Sequence, residues 1–229
     1  MKLPILISVP HAGLIIPPEV EDYFILSEKE IIEDGDEGAR EIYYPLESKV
    51  SAFVTTDIAR AIIDVNRAED DRRADGVVKT HTCWNVPVYR QFPPEDVIEA
   101  LLERFYRPYH ARLRALASGV MLGIDCHTMA AKGPPIGPDP GKERPLVCLS
   151  NADGTCPQSW MEALARYLEH VFEIEVSINF PFAGGYIIRC HAAELPWVQL
   201  EFSRAPIFPT VEKQRRLLAV LEKWCSLAD

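Results

Sequence analysis

Short apolar runs alternate along this chain with longer segments of helical periodicity, and that alternation constrains the fold more than any other feature. Residues 3–10, LPILISVP, are a continuous apolar run of the kind a strand buried on both faces needs. Strand-like runs recur at 51–60 (SAFVTTDIAR), 61–67 (AIIDVNR), 120–125 (VMLGID), 146–151 (LVCLSN), 175–180 (EVSINF), 185–192 (GYIIRCHA) and 197–204 (WVQLEFSR). Between them the spacing predicts helices. One spans Leu26–Lys49, opened by a capping box at Ser27 and Glu30 and interrupted at Gly35. A second covers Glu95–Ala117, where Val97, Leu101, Leu102, Phe105, Tyr109 and Leu113 recur at helical intervals after Pro93–Pro94. Two more cover Gln158–Val171 and Thr210–Leu227. Strands interleaved with helices predict an α/β domain with a largely parallel sheet. The Pro/Gly-rich stretch 131–145, AKGPPIGPDPGKERP, is a loop, long enough to be a functional lid rather than a domain boundary.

One domain, 1–229, is expected, because neither an internal repeat nor a linker interrupts the pattern. The formal net charge of −10 argues against nucleic acid or an anionic membrane as the main partner, since both need a basic footprint. It leaves room for a small anionic substrate held by a few arginines. No run of about 18 apolar residues marks a membrane span. The N-terminal segment reads as a first strand rather than a signal peptide. The six cysteines are scattered without a CxxC pair, which suggests reduced thiols and a cytoplasmic location.

In parallel sheets ligands bind beyond the carboxyl ends of the strands. His11 follows the first run, Asn66 and Arg67 end AIIDVNR, His127 follows VMLGID, and Glu201 and Arg204 lie in WVQLEFSR. Two imidazoles and one carboxylate, with one position left open, make a catalytic zinc site. His11 and His127 would supply the imidazoles, and Asp34, Asp36 or Glu37 in EDGDEG the carboxylate. Asp125 then suits the role of acceptor for a ligand N–H. An acid inside an apolar strand must be paired, ligated or raised in pKa. Glu201 is therefore either a general base or the partner of a cation such as Arg204. Arg67 offers a planar fork for a substrate carboxylate, with Asn66 beside it, Asp64 to hold it and Arg60 nearby. The stretch AEDDRR, 68–73, reads as a surface salt-bridge network.

The other histidines carry weaker signals. His81 sits in a polar loop, His110 reads as a packing residue on its helix, His170 as solvent face, and His191 is open. Cys126 should point away from the site if His127 points into it, because neighbours alternate along a strand.

Taken in order, SVPHAG, DVNR, YRPYH, DCHTM, PFAGGYI and VQLEFSR make the chain resemble the N-formylglutamate amidohydrolases over residues 7–208. Part of the pattern is similar in the zinc carboxypeptidases. The resemblance implies a three-layer α/β/α sandwich with a mostly parallel mixed sheet, zinc carboxypeptidase-like (phosphorylase/hydrolase-like), and one zinc ion per chain. It implies His11, Asp36 and His127 as metal ligands, with Glu37 as the alternative acid, and Glu201 as the base. Asn66 and Arg67 become the substrate clamp, and Arg60 or Arg189 would meet a second carboxylate. The implied reaction splits N-formyl-L-glutamate, or a similar N-acyl amino acid, into formate and glutamate, a step of histidine breakdown. The alternatives are a zinc carboxypeptidase or amidase for another N-acyl or peptide substrate, and a non-catalytic metal- or ligand-binding protein of the same fold.

Overall fold

The computed structural model describes residues 2–226. Six strands form one sheet: β1 (Leu3–Val9), β2 (Val50–Thr55), β3 (Leu122–Met129), β4 (Val147–Ser150), β5 (Val176–Ile178) and β6 (Trp197–Ser203), in the order β2-β1-β3-β6-β4-β5. β2, β1, β3 and β6 run parallel to their neighbours, and β4 pairs antiparallel with β6, so the sheet is mixed. The helices are α1 (Glu28–Asp34), α2 (Ala39–Tyr43), α3 (Glu95–Leu101), α4 (Arg107–Leu116), α5 (Gln158–Phe172), α6 (Tyr186–Cys190) and α7 (Thr210–Cys225).

Alternation along the strands gives the sheet two faces of different chemistry. Ile5, Ile7, Val9, Ile124, Cys126, Val198, Leu200 and Phe202 pack on one side with α2, α5 and α7. Leu6, Ala52 and Val54 pack on the other with α3, α4 and α6. Two apolar cores around one sheet make the three layers expected from the resemblance. Asp125, His127, Gln199 and Glu201 fall between the core residues of the first face and therefore point to the opposite side, away from Cys126. That side is where the polar groups collect, at the carboxyl ends of the central strands.

Two segments differ from the sequence reading. AIIDVNR is not a strand. Ile62 N–H donates to the Ala59 carbonyl, and Asp64 Oδ1 accepts the Asn66 N–H at 2.9 Å, an Asx-type turn that curls the chain where an apolar run predicted extension. GYIIRCHA is not a strand either: Tyr186–Cys190 is helical, with Ile187 and Ile188 both buried. Its first turn is capped from outside, because Asn66 Oδ1 accepts the Ile187 N–H at 2.8 Å. The preceding Gly184 has φ +115°, and a Cβ on Gly185 would lie 2.5 Å from Asn66 Nδ2. The Gly184–Gly185 pair is thus what lets this helix start against Asn66.

The long helix expected at 26–49 is divided at Gly35 into α1 and α2, with the Ser27–Glu30 capping box in place. The helix expected at 95–117 is continuous through a π-type turn, Leu102–Tyr106, between α3 and α4. The closing helix is observed to Cys225, and Leu227, its expected last residue, lies outside the described residues.

Candidate active site

His11 follows β1, Asp36 follows α1, and His127 sits near the end of β3. His11 Nδ1, an Asp36 carboxylate oxygen and His127 Nδ1 converge at the carboxyl edge of the sheet. Ligand atoms of these three residues lie within 4.8 Å of one another, and all three residues are buried. Asp36 Oδ2 is 2.9 Å from His127 Nδ1 and 3.6 Å from His11 Nδ1.

The outer nitrogen of each ring is held by a fully buried carboxylate. His11 Nε2 donates to Asp64 Oδ1 at 2.8 Å, and His127 Nε2 donates to Asp125 Oδ2 at 2.8 Å. Asp125 is itself fixed: Ser8 Oγ donates to its Oδ1 at 2.8 Å, and Ser8 receives the Tyr109 hydroxyl. With Nε2 of each ring turned outward to its carboxylate, Nδ1 of each is the atom left inward for a cation, beside the Asp36 carboxylate, which takes the His127 Nδ1–H at 2.9 Å, a proton that a cation would displace. His11 Nδ1 is buried and has no hydrogen-bond partner. Two imidazole nitrogens and a carboxylate oxygen, each electron-rich and desolvated, fit a cation of the zinc type, with the histidine–carboxylate pairs as outer support.

The structure brings Asp36, rather than its neighbours, to the histidines. Asp34 is turned away into an ion pair with the buried Lys79 at 2.9 Å and accepts the Cys83 N–H. Glu37 is exposed. The Asp36 N–H donates to the His11 carbonyl, and the Thr128 N–H donates to Asp36 Oδ2 at 3.2 Å. Arg204 staples this loop to the end of β3, donating to the Gly35 and Glu33 carbonyls and to Thr128 Oγ1.

Glu201 lies directly across from His127 in the β3–β6 register and is 5% exposed. Burial pushes its carboxyl up to about 7, against the opposing pull of His127. Arg204 does not pair with it, and among the described residues no cation lies within ion-pair distance of it. Its one side-chain partner is Gln199, whose Nε2 donates at 2.8 Å while its Oε1 accepts the Gly185 N–H. Burial also acts on Asp36, but the His11 and His127 rings override it and hold this carboxyl well below the usual range.

A cavity of about 630 Å³ opens over this cluster. Arg60, Arg67, Arg73, Lys79, Arg144 and Arg204 line it, a group of cations interleaved with the carboxylates of Glu33, Asp34, Asp36, Asp75 and Glu201. Arg67 rests on the Asp75 carbonyl through Nε at 3.0 Å, with Nη2 at 3.4 Å from the Asp75 carboxylate and Nη1 on the Asn66 carbonyl. Asp64, expected to hold Arg67, is 3.9 Å away and serves His11 and Arg60 instead. Asn66 lines the cavity, but both ends of its amide are bonded to protein: Nδ2 donates to Asp125 and Oδ1 receives Ile187. Arg189 is exposed, hydrogen-bonds the Gly184 carbonyl and is not part of the cavity wall. The helical turn of 186–190 carries it outward, where an alternating strand would have aimed it elsewhere. The 131–145 loop does line the cavity, through Pro134, Ile136 and Arg144, and is cinched by a two-pronged Arg144–Asp139 pair at 2.7 and 2.8 Å.

Reading the sequence alone missed Asp64 as the His11 partner, Gln199 as the Glu201 partner, and the cavity cations Arg73, Lys79 and Arg144. Only Asp64 carried a usable signal, its place in the same apolar run as Asn66. The 68–73 network is at the surface as expected, with Arg73 on Asp71 and Glu69 on Arg107.

A cation that polarises the carbonyl and a base that deprotonates water are one route to amide hydrolysis, and residues of the types suited to both meet here; the class is a hydrolase acting on C–N bonds. The chain belongs to the N-formylglutamate amidohydrolase family, whose sequence model matches residues 3–208. It is 25% identical over 227 residues to an N-formylglutamate deformylase of Pseudomonas putida, covering 92% of this chain and 84% of that one. The corresponding Pseudomonas aeruginosa enzyme is 26% identical over 227 residues, covering 88% and 82%. The fold matches that of an N-formylglutamate amidohydrolase from Ralstonia eutropha JMP134 with a TM-score of 0.77 at 18% identity, over 99% of this chain and 94% of that one. The Agrobacterium tumefaciens gene product Atu2144 gives the same TM-score, 0.77, at 19% identity, over 100% and 91%.

Proposed function

We propose that this protein hydrolyses N-formyl-L-glutamate, or a closely related N-acyl amino acid, to the free acid and glutamate, with one zinc ion held by His11, Asp36 and His127. The observation that carries the reading is the convergence of two inward-facing Nδ1 atoms and the Asp36 carboxylate beside Glu201. When bound, zinc would supply Lewis acidity, polarising the scissile carbonyl and making water more acidic.

The chain's own residues supply the rest. Glu201, with its carboxyl near 7, takes a proton from the attacking water and later delivers it to the amide nitrogen as the C–N bond breaks. Gln199 orients that carboxylate. Asp64 and Asp125 fix the imidazole rings. Arg67 reads the α-carboxylate, since each terminal nitrogen of its guanidinium keeps an N–H beyond those given to Asn66 and Asp75. Asn66 holds the wall behind it. For the γ-carboxylate, Arg60 remains of the two candidates, and its Asp64 partner limits its freedom; Arg189 is too far out on the surface for this role. We further propose a single catalytic domain acting in the cytoplasm, supported by Cys83, Cys126, Cys148, Cys156 and Cys190, which are reduced thiols. No helix among the described residues is long and apolar enough to cross a membrane.

Formate release from N-formyl-L-glutamate by metal-replete protein tests the proposal. Turnover that disappears with a chelator and returns with zinc supports it. Absence of turnover on any N-acyl amino acid at full metal occupancy would overturn it in favour of a non-catalytic binding protein.

A further inference from the structure

A second pair of histidines lies away from this cluster, where α4 passes the end of α6. His110 Nδ1 faces His191 Nε2 at 2.9 Å, and the rings are nearly parallel, at 13°. Ligand atoms of His110, Cys190 and His191 all lie within 4.8 Å of one another. Both histidines are buried and Cys190 is half-buried.

Proton counting exposes what this pair lacks. His110 Nε2 is 2.9 Å from the Val65 carbonyl, which can only accept, so Nε2 carries a proton and Nδ1 of the neutral ring is a lone pair. His191 Nδ1 is 3.3 Å from a Glu194 carboxylate oxygen, again an acceptor, yet it has no hydrogen-bond partner. If the His191 proton sits on Nδ1 to meet Glu194, two lone pairs face each other across 2.9 Å. If it sits on Nε2 to meet His110, a lone pair faces the carboxylate. Two neutral imidazoles are one positive charge short of satisfying this arrangement. Burial opposes filling it with a proton: it lowers both rings, His110 to about 4.

We propose that His110 Nδ1, His191 Nε2 and the Cys190 thiolate form a second metal site, for a thiophilic ion of the zinc class, distinct from the His11–Asp36–His127 cluster. Two imidazoles and a thiolate are donors such ions favour, and the outward N–H groups on Val65 and Glu194 are the supports that metal-bound histidines use. Zinc–nitrogen bonds of about 2.0–2.1 Å at a tetrahedral angle space two nitrogens roughly 3.3 Å apart, so the pair opens by a few tenths of an ångström and each ring, now head-on to the other, turns by about 35°. The cysteine loses its proton on binding, and the Tyr186 contact to its sulfur gives way or remains as a hydrogen bond to the thiolate. Through Val65 the ion would brace the turn that carries Asp64, Asn66 and Arg67.

Protein produced in cobalt-supplemented medium distinguishes the two sites. Only a cysteine-ligated cobalt ion gives a thiolate-to-metal charge-transfer band, and the first cluster has no cysteine. We expect two cobalt equivalents and the band in the parent. Cys190→Ser should keep one equivalent and lose the band. Cys83→Ser, whose sulfur lines the active-site cavity, should keep both. His127→Ala should lose one equivalent and keep the band, so failure of the first site is separable from failure of the second. A parent with no band, or a band that survives Cys190→Ser, overturns the proposal.

Discussion

His127 and His110 are equally buried, at 3% and 4% exposure, and each has both ring nitrogens engaged, yet the protein treats their charge in opposite ways. Burial works against the imidazolium in both. Around His127 it is overridden by Asp125 and Glu201, with Asp36 adding a hydrogen bond, and the ring is held well above the ordinary histidine value. Around His110 the neighbours are a carbonyl and another imidazole, and the ring falls to about 4. Between these two rings the difference lies in what the outer nitrogen and its surroundings offer: the Asp125 carboxylate makes the His127 ring more basic and more strongly cation-seeking, and the Val65 carbonyl leaves His110 a neutral donor. The first cluster also has a buried acid–base group beside it, Glu201, whereas the carboxylate beside the second, Glu194, is partly exposed.

The sharpest way to break that contrast is to remove the acid–base group. Glu201→Gln should lower kcat by about 10²–10⁴-fold while metal content and fold are kept, because an amide cannot take the proton. His191→Gln, which removes a ligand of the second cluster, should lower kcat far less. Steady-state rates with elemental analysis on both variants check this, and near-parent turnover by Glu201→Gln would make Glu201 structural.

Arg67 tests whether the cavity cations read a carboxylate. Arg67→Ala should cost about 2–5 kcal/mol in kcat/KM on N-formyl-L-glutamate, with Arg67→Lys repairing only part of it. On the same compound with its α-carboxylate amidated, which the parent should already handle poorly, the loss should be far smaller. Equal losses on acid and amide would exclude a carboxylate contact.

The role of the outer carboxylates can be sharpened directly. Asp64→Asn and Asp125→Asn should each weaken zinc binding by about 10–100-fold, measured by competition with a chromophoric chelator. Unchanged affinity in both would mean that the ligand set alone defines the first cluster.

The smallest effect is a pH dependence. In metal-free protein His110 binds its proton near 4 when folded and near 6.5 when unfolded. Between those values the unfolded chain holds the extra proton, so stability is full above about 6.5 and falls as pH drops through the window, by roughly 1.4 kcal/mol per pH unit. Denaturant titrations at pH 7, 6 and 5 should show this slope, and His110→Gln should flatten it. His127 contributes with the opposite sign: its stabilisation is present below the unfolded value and lost as pH rises through its elevated folded value. An identical slope in His110→Gln and parent would remove His110 from the account.

The sequence by itself determined the alternation of strands and helices, and with it the placing of His11, His127 and Glu201 at the carboxyl edge of a mostly parallel sheet. It could do so because side-chain periodicity and the polar residue after each apolar run are local properties. It also placed Cys126 opposite His127, since two-residue alternation fixes facing. Tertiary structure decided the rest. Asp36 is chosen over Asp34 and Glu37 because Lys79 draws Asp34 away while Arg204 and the Thr128 N–H pin the loop. AIIDVNR bends because Asp64 caps its own chain, and that bend lets Asp64 reach His11, 53 positions away. GYIIRCHA coils because Asn66, held by Asp125, accepts the Ile187 N–H and so starts a helix; the same turn carries Arg189 out of the cavity and sets His191 against His110. Apart from the local Asp64–Asn66 turn, each of these outcomes depends on a hydrogen bond or ion pair between residues remote in the chain, and hydrophobic periodicity carries no information about such pairings.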